Sequence, residues 1–276
     1  MSETLFPHPE VRRLADENAV LREELVRLLT EAENLVQVVK PNLLAQYQAL
    51  LGAWELRVLQ AQFETARLRR QIELAQASLN RGVPPDLRAI ERQLESDFLA
   101  WQARLREARD RILAAEMRLK HLLPPAEDRE FKALYRTLVK KLHPDVNPPL
   151  TGDQRRLWLR VQAAHAAGDL PELRALALLA EKSGPVPPPT KSLDQLRLDQ
   201  QTLQRQIAEL LRRIETIQSQ PPFTLRPQLA DEAWVAQRRQ ELEAQIQQVE
   251  AQRQALAAHW QRILIGTWHG PLPGNN

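Results

Sequence analysis

An all-α, elongated protein is what this sequence predicts, with helical hairpins and coiled coils flanking a small helical unit. Apolar residues recur at alternating steps of three and four through five separate stretches, the seam of a coiled coil. Leu, Ala, Gln, Arg and Glu dominate and only 8 glycines occur in 276 residues, a composition that favours long helices. The 20 prolines gather between the periodic stretches as punctuation, and aromatics, at 5%, are too few for a large globular core.

Residues 8–40 form the first stretch, seamed by Val11, Leu14, Asn18, Leu21, Leu25, Leu28, Ala32, Leu35 and Val39. A buried Asn fixes register in parallel dimers, so Val11 to Val39 can zip two copies into a homodimer. Alternatively the seam packs on the next helix of its own chain, and both readings stand open. Pro41 lacks an N–H and clashes with the preceding turn, which predicts a break or kink. Residues 42–123 then read as an antiparallel coiled-coil hairpin. Its outgoing arm stops at Asn80-Arg81-Gly82, and Asp86 opens the return arm.

A small domain is expected over 112–182, closed by the stiff, proline-rich linker 184–190. Thr151 or Asp153 can cap its helix after the Pro/Gly loop, and Gly168 ends that helix. Leu193 to Ile217 and Val235 to Ile263 keep heptad phase around a Pro221–Pro227 turn, with Arg239 and Arg253 interrupting. They predict a second antiparallel hairpin over 191–265, followed by a disordered tail, 266–276.

The most informative stretch is Phe131 to Asn147, FKALYRTLVKKLHPDVN. Phe131, Leu134, Tyr135, Leu138 and Leu142 share one helical face, while Arg136, Lys140 and Lys141 fall outside it. His143 precedes a proline and is pushed out of the α region, so the helix ends there. A cationic helix face thus stands beside a stiff loop bearing an imidazole and a carboxylate.

The run Tyr135, Arg136, Leu138, Lys141, His143, Pro144, Asp145, Asn147 resembles the core of the J domain of DnaJ-type co-chaperones. Trp158, Val161, Ala164 and His165 fall where that family's next helix carries its aromatic, aliphatic, Ala and Tyr, and the resemblance spans roughly Leu119 to Leu179. It implies a helical unit that binds a DnaK-type chaperone through Arg136, Lys140, Lys141, His143, Pro144, Asp145 and Asn147. The family's usual first helix is missing, and Ile112 to Leu123, the end of the coiled-coil arm, is expected to supply it. Val146 stands where the family often has Lys. His165 is expected to pack with Tyr135 and Trp158.

Other chemistries fit less well. His143-Pro144-Asp145 lacks a nucleophile and a third orienting group, so no catalytic residue is assigned and no enzyme is expected. One His and one Asp are too few ligands for a metal, and no cofactor is expected. The chain has no cysteine, no apolar run long enough to span a bilayer and no apparent secretory signal. A cytoplasmic, membrane-free protein is the default. Net charge is +3, yet residues 126–182 carry 10 basic and 8 acidic residues, a near balance that gives nucleic-acid binding little support.

As a recognition loop the tripeptide makes physical sense. Pro144 fixes the backbone in advance, lowering the ordering cost, and Asp145 can accept charge-assisted hydrogen bonds from a partner arginine. The expected function is that of a J-domain co-chaperone stimulating a DnaK-type ATPase, with coiled coils specifying an unknown client protein or location. The alternative is a coiled-coil scaffold in which a degenerate J-like fold is only a spacer.

Overall fold

The computed structural model describes residues 9–147, 150–182 and 191–268, and among these there is no strand. Helices α1 (Pro9–Asn34), α2 (Lys40–Tyr47) and α3 (Ala53–Leu79) are joined by π-helical segments, Leu35–Val39 and Gln48–Gly52. Then come α4 (Leu87–Asp97), α5 (Leu99–Lys120), α6 (Pro125–Leu142), α7 (Gly152–Ala167), α8 (Leu170–Lys182) and α9 (Leu193–Gln218). A 3₁₀ turn at Phe223–Leu225 leads through the short α10 (Arg226–Leu229) to α11 (Glu232–Trp268). No described helix is long and apolar enough to cross a membrane. The linker 184–190 and residues 269–276 of the expected tail lie outside the described residues, whereas 266–268 complete α11.

Pro41 does not break the chain of helices. In the π segment before it, the Lys40 N–H reaches back five residues to the Leu35 carbonyl. That wider turn absorbs the misfit a proline ring otherwise creates against the turn before it.

The contacts divide the chain into two units. The first comprises Met1–Leu43 and His121–Leu225. Here α1 and α9 run parallel: Arg22 meets Asp199 at 3.2 Å, and further along Glu33 lies in the field of Arg213. Asn18 is fully buried and its Nδ2 donates to the Leu196 carbonyl at 2.8 Å. The asparagine that suggested a parallel zipper does sit in one, but its partner is α9 of the same chain. Of the two readings left open, packing within the same chain is the one seen, on α9 and not on the next helix in sequence.

Helices α6, α7 and α8 pack together, and α1 lies along α6. Leu25, Val26, Leu28 and Leu29 of α1 share one core with Phe131, Tyr135, Leu138, Val139, Leu142, Trp158, Val161 and Ala164. Burying such side chains contributes roughly 1.5–3 kcal/mol each. The expectation that residues 112–123 supply the first helix beside α6 is not met. Helix α5 belongs to the other unit, only Leu123 of that stretch joins this core, and α1 covers α6 instead. The reason is visible in α1: Val26 and Leu29 are buried outside the heptad seam, giving the helix a second apolar face.

The second unit comprises Leu44–Lys120 and Arg226–Asn276. Helices α4 and α5 fold back on α3, as a hairpin requires. Gly82, at φ +73°, closes the turn after α3, and the Asp86 side chain caps α4 by accepting from the backbone N–H groups of Arg88 and Ala89. Helix α11 runs parallel to α3, with Arg57 and Glu243 3.2 Å apart and Arg253 paired to Glu64 further on. The second hairpin expected over 191–265 is thus corrected: α9 has its partner in α1 and α11 in α3. Arg239, which interrupts the heptads, donates from Nε to the Leu50 carbonyl at 3.0 Å. Leu50 lies in a π segment, where widened turns leave carbonyls in need of donors.

Candidate functional site

Helix α6 starts with Pro125 at its first position and Glu127 and Asp128 in its first turn, and ends with Lys140 and Lys141 in its last. Each complements the helix dipole. The helix stops at His143, whose backbone (φ −70°, ψ 130°) is extended as the following proline demands. Thr151 rather than Asp153 caps α7, in a reciprocal box with Gln154, and Gly168 closes it at φ +72°. Local chemistry therefore fixes both ends of the loop between α6 and α7.

The apolar face of α6 is buried as the spacing predicts, with Tyr135, Leu138 and Leu142 at most 1% exposed and Leu134 packed at the margin. His165 stacks on Tyr135 (centroids 3.6 Å apart) and on Phe131 (5.3 Å), while Trp158 stacks on the far neighbour, Tyr135, at 6.2 Å. The expected Trp158 contact of His165 is thus made by Phe131. Burial pushes the His165 pKa down to about 4, so the ring is neutral in this aromatic stack.

The loop divides its residues between inside and outside. Pro144, Asp145 and Lys141 are exposed, whereas His143 is only 7% exposed. Its ring sits edge-on to Trp158 at 5.0 Å. Nδ1 of His143 accepts the Asp145 N–H at 3.1 Å, which requires that nitrogen to be unprotonated and puts the neutral ring's proton on Nε2. Nε2 in turn faces Oε1 of Glu33, 3.8 Å away on α1. Desolvation lowers the His143 pKa and raises that of Glu33 to about 7, opposed at Glu33 by a hydrogen bond from Gln162 and by Arg213. Asn147 donates from Nδ2 to the Lys140 carbonyl at 2.8 Å, closing the loop onto the helix end.

His143 and Asn147, read from sequence as partner-binding, thus hold the loop from within, and the exposed members of that set are Pro144, Asp145, Arg136, Lys140 and Lys141. Sequence reasoning missed Glu23 and Glu33. Glu23 of α1 pairs with Lys140 and lies 3.9 Å from Arg136. The readable signal was the second apolar face of α1, which had to cover something. Comparison with protein-family models, with curated proteins and with solved structures finds no match to this chain.

Proposed function

We propose that the protein is a J-domain-type co-chaperone that docks on a DnaK-type chaperone through α6 and the loop after it, and promotes that partner's ATP hydrolysis. One observation carries the reading: Pro144 and Asp145 are presented to solvent by a loop fixed from inside, directly beside the exposed cations of α6. A preorganised loop lowers the entropy cost of docking, and an exposed carboxylate next to cations suits a partner surface carrying both signs. The protein needs no active site for this; it acts on the partner's. Client or location specificity falls to the second unit.

The test is steady-state ATPase of a DnaK-type chaperone with the full chain added. Stimulation by wild type that is lost in Asp145→Asn, with helicity unchanged, supports docking, because a charged hydrogen bond is worth roughly 1.5–3 kcal/mol, or about tenfold or more in affinity. Absence of stimulation by the wild type across chaperones of this type leaves the scaffold reading. That reading has its own support, since α1 lies along α6 and brings Glu23 and Glu33 to the docking face and loop.

A further inference from the structure

We propose that Glu23 is a gate built into the docking face, an intramolecular carboxylate that an acidic partner must displace; this rests on the co-chaperone reading. The acidic side chains of α1 are not equivalent. Glu24 and Glu31 are held by Arg27 of the same helix, at 2.6 and 3.1 Å. Glu23 instead reaches across to α6, where it meets both Lys140 and Arg136. Of the three cations on that face, only Lys141 has no ion pair among the described residues. Two of the positive charges that would meet a partner's carboxylates are thus already met from within the chain.

The contact is suited to gating because it is weak. Side-chain exposure is 47% for Glu23, 53% for Arg136 and 59% for Lys140. Exposed pairs of this kind contribute little and yield to competing charges and to salt. Helix α1 itself is anchored by its buried leucines, so opening the gate asks only for a side-chain rotation and leaves the core intact. The gate acts on the rate at which an acidic partner engages, because peripheral charges govern association more than dissociation.

Two measurements on the full chain test this. In the first, limiting acetic anhydride labels lysines of wild type and Glu23→Gln, and mass spectrometry compares Lys140 with Lys141. Lys140 labelling rises in Glu23→Gln while Lys141 is unchanged; equal labelling in both proteins overturns the contact. In the second, association with a DnaK-type chaperone accelerates about threefold to fivefold in Glu23→Gln, the gain shrinking at high salt. Asp145→Asn weakens binding about tenfold or more in either background. Increased labelling with unchanged association overturns the gate and leaves the co-chaperone reading standing. No binding by wild type or Glu23→Gln overturns both.

Discussion

At the scale of single residues, burial sets opposite pH responses in one core. His165 titrates at about 4 instead of 6.5, so its neutral form is what the fold accepts. Its stabilising share is complete above pH 6.5 and is lost as pH falls through 4, a difference of about 3 kcal/mol. His165→Phe keeps the stack on Tyr135 and removes that loss, so urea midpoints at pH 7.5 and 4 should differ less in the variant than in wild type. Glu33 runs the other way: its pKa is raised from 4.5 to about 7 by desolvation. Its share is complete below pH 4.5 and disappears as pH rises through 7, so Glu33→Gln should match wild type at pH 4.5 and exceed it at pH 8, by up to about 3 kcal/mol in urea unfolding. The packing role of His165 and the exposure of Asp145 were legible in the sequence. The withdrawal of His143 was not, because a tripeptide does not say which of its side chains will find a pocket, here one walled by Trp158 and Glu33.

At the scale of elements, helix ends were legible and helix partners were not. Gly82, Asp86, Thr151 and Gly168 end or begin helices through bonds within a few residues of themselves. A heptad seam says only that a face is apolar, and α1, α3, α9 and α11 offer four such seams. Two polar groups accompany the pairings: Asn18 of α1 finds the Leu196 carbonyl of α9, and Arg239 of α11 finds the Leu50 carbonyl in the π segment before α3. Asn18 specifies at a cost: its Oδ1 is buried without a hydrogen bond among the described residues. Asn18→Leu should therefore raise the free energy of unfolding, read from urea titration, by about 1 kcal/mol while loosening the register; a fall instead would show the Leu196 bond to be net stabilising. The π segments were illegible, since no residue type marks them. Gly52 has a visible purpose there: a Cβ would meet Ile112 of α5 at 3.0 Å. Gly52→Val should cost about 1–3 kcal/mol through overpacking in the second unit, read by thermal unfolding.

At the scale of the whole molecule, each unit is built from segments far apart in sequence, the first from Met1–Leu43 with His121–Leu225, the second from Leu44–Lys120 with Arg226–Asn276. The all-α class was readable from composition and periodicity, but this interleaving was not, because nothing local records a neighbour almost 180 residues away. A protease site engineered between residues 184 and 190 should cut the chain into two pieces that still co-elute at the full mass of 31.7 kDa, since both seams span the cut. Separation on size exclusion would show the seams to be weaker than their burial implies. The hydrogen bond from Asn18 to Leu196 also has a consequence for how the protein is made. At roughly 5–20 residues per second, α1 leaves the ribosome about 10–40 s before α9 exists to cover it. During that interval the nascent chain displays a bare leucine stripe, so its own biosynthesis calls for a holding factor, or for a temporary neighbour, before the native partner arrives.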